Sequence, residues 1–437
     1  MCNLRSKLLF VALLAFRSIH SSAQTSTTSN PTNGRENNPY TKFGIGELSN
    51  GSSVALKGMG NITSAFENPY EINTDNPASY AFLRRTTFEI GAMGSSRTID
   101  GSGLSYTTGT ATLSYLTIGI PVNKNGGLVL GFRPYSKVYY SLVDTIFNSP
   151  IGSALRSYSG DGGLNYAYAG AAAKWKGLSV GFNLGYLFGT TQYTTAMIPI
   201  DTLATNNGYT TRYDDYVRIG GLYWKGGVMY ETKIDSGLTL RIGGTISIGQ
   251  NITERLNAYQ VAAYNFGDTT VNDTVNYAGQ QKGRLKLPMS YSAGISLSKE
   301  DKWNVGIDYT ATQWSDFNSS PYTYMNTNVA SGSYKFSAGV EYTPDINNIR
   351  SYFSRCTYRF GGYYGLDYLK INGNDIPYYG MTAGASLPFR RSLSRLHTAL
   401  EVGRLGSTSA GMIQETYVRF SLGVSFNDLW FIKRKYD

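Results

Sequence analysis

The sequence predicts an all-β chain: a transmembrane antiparallel β-barrel of about 14 strands with an N-terminal plug, or hatch, inside the lumen. Three observations predict it. Long stretches alternate apolar and small or polar residues with period two, as in Leu178, Val180, Phe182, Leu184, Tyr186 and Phe188 set against Ser179, Gly181, Asn183 and Gly185. The composition is 50 Gly, 36 Tyr and 19 Phe with only 16% charged residues and a mean hydropathy of −0.25. That is poor in charge for a soluble α/β enzyme and too polar for a helical membrane protein. Finally, the chain opens on an export signal, and no later apolar run approaches the ~20 residues of a spanning helix.

The signal occupies residues 1–23. Arg5 and Lys7 form a basic start, Leu8–Phe16 a short apolar run, and Ser21-Ser22-Ala23 a small-residue cleavage site. Arg17 and His20 make the run too short and polar to span a bilayer. Cys2 precedes the run, on the wrong side for lipid attachment, and is lost with the signal. Cys356 then has no partner for an internal disulfide. The loss of Arg5, Lys7 and Arg17 lowers the formal charge of +10 by three. The remaining Lys and Arg are scattered, and with export this excludes a nucleic-acid partner.

Residues 24–38, rich in Ser, Thr, Asn and Pro, read as a disordered leader. Residues 39–85 have neither the length of a domain nor the period of a strand, and read as the plug. The barrel follows over 86–428. Turn signals divide it into segments at 86–96, 108–121, 127–142, 162–175, 178–195, 210–231, 238–261, 283–298, 302–317, 331–343, 353–368, 377–388, 396–407 and 413–428. Trp303–Thr310, Tyr334–Tyr342 and Val418–Phe426 repeat the alternation, with charges and glycines opposite the apolar set. One face toward lipid and one toward a polar lumen explains that pattern. A soluble β-sandwich has shorter strands and two inner faces that meet in a core. Short turns at 123–126, 176–177, 235–237 and 299–301 alternate with longer links at 143–161, 196–209, 262–282 and 318–330. Short periplasmic turns alternate in this way with external loops, and an even strand count puts both mature termini in the periplasm of a Gram-negative outer membrane.

The last strand, Arg419–Phe426, resembles the C-terminal signal read by the barrel-assembly machinery during insertion. A tail at 429–437 follows, with Trp430, Phe431 and Lys433-Arg434-Lys435. It reads either as an interfacial anchor or as a docking tail for a partner.

The N-terminal segment carries Gly58-Met59-Gly60 and Asn76-Pro77-Ala78 ahead of the first strand. With about fourteen strands behind it, this resembles the FadL-like outer-membrane long-chain fatty-acid and hydrocarbon transporter family, whose hatch carries an Asn-Pro-Ala motif. The opening Asn38–Gly44 and the ending Trp430–Asp437 resemble Bacteroidetes members of that group. The resemblance assigns Gly58, Met59, Gly60, Asn76, Pro77 and Ala78 to the plug motif. It also implies a lateral gate at a kink of the third barrel strand, here Leu128–Tyr135 with Gly131 and Pro134. Proline cannot donate to a ladder, so Pro134 marks either that gate or a rim irregularity. Glycines in other strands read as ordinary curvature.

No catalytic, cofactor or metal site is expected. His397 is the one histidine after the signal. It lies near Ser394 and Glu401, but nothing separates that trio from ordinary strand residues, and it reads as an interfacial residue. One Cys and one His cannot supply a Cys/His zinc framework. Asp214-Asp215 and Glu300-Asp301 read as solvated strand ends rather than calcium ligands. Gly160-Asp161-Gly162-Gly163 lacks the strand-to-helix context of a phosphate loop. The resemblance implies passive uptake of a hydrophobic, long-chain fatty acid-like molecule with lateral release, the partners being that ligand and outer-membrane lipid. The alternative is a non-transport barrel serving as an accessory or cargo-shuttle component of an outer-membrane secretion or assembly complex. A general porin is disfavoured, because a plug blocks a water-filled channel.

Overall fold

A computed structural model describes residues 36–428 apart from 50, 102, 150–151, 201–206, 236, 267–268, 276–278, 349, 391 and 409–411. The signal at 1–23, the leader up to residue 35 and the tail at 429–437 lie outside the described residues. The strands are β1 (Glu47–Leu48), β2 (Thr86–Gly101), β3 (Leu104–Asn123), β4 (Gly126–Ser149), β5 (Gly152–Trp175), β6 (Leu178–Pro199) and β7 (Asn207–Asp235). They continue as β8 (Leu238–Ser247), β9 (Gln250–Phe266), β10 (Thr269–Val275), β11 (Gln280–Leu287), β12 (Ser290–Lys299) and β13 (Trp303–Thr312). The last six are β14 (Asn318–Ser319), β15 (Ser333–Tyr342), β16 (Thr357–Ile371), β17 (Asn374–Pro388), β18 (Arg395–Leu405) and β19 (Gln414–Asp428).

From β2 to β8 each strand pairs antiparallel with the next, β12, β13, β15 and β16 to β19 continue the wall in the same sense, and β19 returns to β2 from Gln414↔Asp100 to Asp428↔Thr86. The barrel is therefore closed, with 14 spans. Two spans are interrupted. β8 and β9 together face β7 across a break at residues 248–249, and β11 and β12 form the neighbouring span across a break at 288–289. Closure leaves no exposed edge in the lipid. No helix among the described residues is long and apolar enough to cross a membrane.

Alternation decides the faces. Phe182, Val305, Phe360 and Met381 are exposed on the outer face, Met381 by 80%, while Ser179, Asn183 and Thr382 are buried toward the lumen. The strands run further than the sequence predicts. Residues 143–161, expected as a long link, are the ends of the β4–β5 hairpin, paired as far as Ile146↔Ala154 and Ser149↔Gly152. The links expected at 196–209 and 262–282 are likewise largely strand. Asn148, Ser149, Ser157, Ser159, Gly160 and Asp161 break the alternation along the β4–β5 ends, so they carry no clear period-two signal. The predicted strand 302–317 stops at Thr312, and the chain after it turns inward to bury Trp314, Phe317 and Met325. Trp314 stacks on Tyr368 at 4.2 Å and Tyr322 on Tyr193 at 5.0 Å. Side chains therefore fill the lumen at this end as a packed aromatic core.

Candidate functional site

The segment ahead of β2 is bonded to the barrel wall on every side, so it lies in the lumen. Its order begins earlier than the expected leader allows. Glu36 meets Arg97, and Asn38 donates its backbone N–H to Tyr139 O at 3.0 Å while its side chain caps the turn Pro39–Lys42. β1 then pairs with β4, Glu47 opposite Lys137 and Leu48 opposite Ser136. A single helical turn, Val54–Lys57, is capped by Ser53.

The predicted motif residues are buried here. Gly58 ends the helical turn, and Thr382 Oγ1 both accepts from Gly60 N–H at 2.8 Å and donates to Gly58 O at 3.1 Å. Gly60 has φ +70°, which favours glycine. Met59 is fully buried with Leu56, Ile62 and Phe66. Asn76 caps the 3₁₀ turn Pro77–Phe82: its Oδ1 accepts from Ala78 N–H at 3.0 Å, and its Nδ2 donates to Ser64 O at 2.6 Å. Ser179 of β6 donates to Ala78 O at 2.5 Å.

Wall glycines make room for this backbone. A Cβ on Gly361 would stand 2.4 Å from Gly60 N, one on Gly181 2.3 Å from Pro77 C, and one on Gly243 1.9 Å from Ser64 O. The expectation that strand glycines serve only curvature is corrected at these positions: they are contact surface for the segment.

The charges hold the segment more tightly. Four of its acids meet wall arginines on different strands. Glu47 is held by Arg97 of β2 at 2.8 Å and Arg419 of β19 at 2.6 Å. Glu67 meets Arg241 of β8 at 2.5 Å. Glu71 meets Arg359 of β16 at 3.1 Å, and Asp75 meets Arg133 of β4 at 3.0 Å. Wall acids complete three of the clusters, with Glu415 beside Arg97 and Glu401 beside Arg419, Glu231 beside Arg241 and Glu341 beside Arg359, while Asp75 has a second cation in Lys225 at 3.9 Å. Burial pushes the segment's carboxyls up. At Glu47 the guanidinium groups of Arg97 and Arg419 outweigh burial and hold it down to about 2. Arg133 and Lys225 likewise hold Asp75 below its ordinary range, and Arg359 holds Glu71 down. At Glu67 burial outweighs Arg241, so that carboxyl is raised. Lys57, buried against Ser114 Oγ at 3.2 Å, is lowered by desolvation to about 8. The sequence reading found none of these pairs; their signal was four acids within 29 residues of a segment otherwise poor in charge.

His397 is not interfacial. It is buried in the lumen, 2% exposed, with Nδ1 2.7 Å from Ser386 Oγ, Nε2 3.0 Å from Ser425 Oγ, and Glu71 3.9 Å away. The alternation of β18 points it inward between β17 and β19. Ser394 and Glu401 are not its partners: Glu401 bonds Tyr363 and Arg419. The Ser386–His397 pair is sealed, since Ser386 and Ser425 are fully buried, and no substrate atom could reach it. Among the described residues no His, Cys, Asp and Glu group is arranged to hold a metal ion.

Gly131 and Pro134 sit at a break in the wall. The β3–β4 ladder ends at Leu116↔Phe132, although both strands continue beyond it, and β4 shifts register against β5 between Pro134 and Ser136. Gly131 is in the last rungs, where a Cβ would strike the Tyr168 ring at 2.3 Å. Past the break, β1 takes the position beside β4 that β3 leaves. The cavity there holds only about 60 Å³ and is lined by Glu47, Lys57, Pro134, Lys137, Glu401 and Arg419 among others.

Comparison with known proteins places this geometry. The family model described as BamG matches residues 6–437. No curated protein matches. Among solved structures, the Ralstonia pickettii toluene transporter TbuX superposes with a TM-score of 0.52 at 16% identity, covering 89% of this chain and 99% of that one. The Pseudomonas putida toluene transporter TodX gives 0.54 at 16% identity, over 88% and 99%. A Pseudomonas aeruginosa FadL homologue gives 0.55 at 13% identity, over 86% and 98%. At such identities the likeness establishes the FadL-type barrel fold.

Proposed function

The chain belongs to the BamG family, and from that premise we propose that it is a sealed outer-membrane barrel acting as an accessory component of an outer-membrane assembly or secretion complex. The observation that carries this reading is the ionic seal. Acids at residues 47, 67, 71 and 75 bind arginines of β2, β19, β8, β16 and β4, and the lumen at the inward-turned end is packed with aromatics. A drug-sized or lipid-sized ligand needs a pocket of about 300–1,000 Å³, and the cavity at the wall break offers about 60 Å³. In this reading residues 39–85 are a permanent plug. Gly58-Met59-Gly60 and Asn76-Pro77-Ala78 lock it to β17, β6 and β7, and both mature termini face the periplasm.

The break beside Pro134 favours a second reading, uptake of a hydrophobic small molecule with lateral release, in a barrel whose fold is shared with toluene transporters. Gly131 and Pro134 would form the gate, and β1 would have to leave β4. Native mass spectrometry after gentle extraction from the parent membrane separates the two. A stoichiometric complex with other envelope proteins and no bound fatty acid is the expected result. A lone barrel carrying co-purified fatty acid or hydrocarbon overturns the accessory reading in favour of uptake.

A further inference from the structure

The outer face of β7, β9 and β11 carries a charge arrangement that neither the seal nor the fold requires. Arg218 stands opposite Arg255, and Arg255 opposite Lys282, three like charges abreast on neighbouring strands. Val217 and Ile219 flank Arg218 and Leu256 follows Arg255, all buried inward, and Leu285 is buried inward three residues after Lys282, so alternation turns the three cations outward, where all are exposed. Arg284 extends the row beside Thr253. Like charges directly opposed across a ladder are destabilising.

No acid offsets them. Glu254, next to Arg255, turns inward to Ser319. Asp214, on the same outer face, is taken by Arg212 at 2.8 Å and Thr194 at 2.7 Å. Asp316 faces Lys286 at 3.8 Å. Among the described residues no ion pair reaches Arg218, Arg255, Lys282 or Arg284.

The row sits at the edge of the apolar belt. Below it the outer face is Tyr186, Phe188 and Leu222, all exposed; above it Gln192, Tyr216 and Asn257 begin a polar surface. A groove of about 450 Å³ spans the boundary, lined by both arginines with Tyr186, Phe188, Thr190 and Thr253. Arginines present planar forks that suit phosphate oxygens, threonine hydroxyls add donors, and the apolar rings below suit acyl chains.

We propose that this groove binds the phosphorylated headgroup of an outer-leaflet glycolipid, with the acyl chains running down over Tyr186 and Phe188. The choice of leaflet rests on the orientation given above, with the termini periplasmic. The test uses the full mature chain in detergent micelles, titrated with bis-phosphorylated lipid A and with the same lipid after removal of both phosphates. The phosphorylated lipid is expected to bind, and dephosphorylation to abolish most of the affinity. The variant R218Q/R255Q/K282Q should bind lipid A more weakly by about fivefold per cation, on the order of a hundredfold in all. Equal binding of the two lipids by the wild-type chain overturns the proposal even if the variant fails to fold, and so does unchanged affinity in a folded variant. Full competition by millimolar inorganic phosphate would show an anion site without lipid specificity and also overturns it. Orientation is read separately by Thr274→Cys at the exposed β10 tip, against buried Cys356 as background. Labelling on intact cells by an impermeant maleimide is expected; its absence overturns the outer-leaflet source while leaving the lipid titration to stand by itself.

Discussion

Replacing Glu71 with alanine removes the carboxylate that Arg359 binds through two contacts, at 3.1 and 3.2 Å, both side chains being almost wholly buried. Breaking one side of a buried pair typically costs ~3–5 kcal/mol, because the other charge is left without its partner. Arg359 keeps Glu341 at 2.6 Å, so the lower end applies. A loss of ~3 kcal/mol raises the population of the released segment roughly a hundredfold. Lys57 reports that release, because it is buried while the segment is seated and becomes a trypsin site when it leaves. The expected result is a roughly hundredfold faster cleavage at Lys57 in a barrel that still runs as a folded, heat-modifiable band. The cycle with Arg359→Ala isolates the pair: the double variant should cost less than the sum of the singles by ~2 kcal/mol. Additivity within ~0.5 kcal/mol, or no change in cleavage, refutes the claim that this contact holds the segment in place.

Three further outcomes follow from the same geometry. Lys57 has a folded pKa of about 8 against 10.5, so the unfolded state binds more protons between those values and stability rises with pH across that window. Lys57→Met should be more stable than the parent by up to ~3 kcal/mol below pH 8 and should lose that slope, as read by thermal unfolding across pH 7–11. Glu47 is depressed to about 2, so its stabilising effect is complete above pH 4.5 and is lost as pH falls toward 2; the hydrogen-exchange protection of β1, taken relative to the intrinsic amide rate at each pH, should fall over that window, and Glu47→Gln should show reduced protection already at pH 7. Gly361→Val drives a side chain into Gly60 N and Met59 C, backbone atoms at 2.4 and 2.5 Å, and should cost ~1–3 kcal/mol or unseat the segment while the β15–β16–β17 ladders persist in the amide exchange pattern.

The barrel was legible because its physics is periodic. Phe182 or Phe360 faces lipid and Ser179 or Arg359 faces the lumen, and a two-residue alternation records that choice directly. Where turn-forming residues sit inside a strand, the record fades. Residues 143–161 carry Asn148, Ser149, Ser157, Ser159, Gly160 and Asp161, which signal a loop although the β4–β5 backbone is paired there, and the inward turn after Thr312 has no period at all. Asn76-Pro77-Ala78 stands out in the sequence only through a family resemblance, although the cap it forms is a local device that an Asn ahead of Pro supplies. The pairing of Glu71 with Arg359 was not, since 288 residues separate them and nothing local selects that arginine over another. His397 shows the same limit: its partners Ser386 and Ser425 lie on neighbouring strands at registers that sequence spacing does not encode.

The distribution of the acids bears on which reading the barrel can serve. A ligand can shift the segment only by as much as it prefers the shifted state. Moving the whole segment aside breaks four clusters on five strands at once. A hydrophobic molecule bound with micromolar affinity supplies about 8 kcal/mol in total, which would have to cover every one of these clusters together with the buried backbone contacts. Only the path past β1 is cheaper, since it breaks two strand rungs and the Glu47 cluster alone. Uptake therefore requires that Glu47→Gln open the wall break and speed ligand entry. A sealed accessory barrel requires that the same substitution loosen β1 with no gain in entry, and fluorescent fatty-acid uptake into cells carrying Glu47→Gln decides between them.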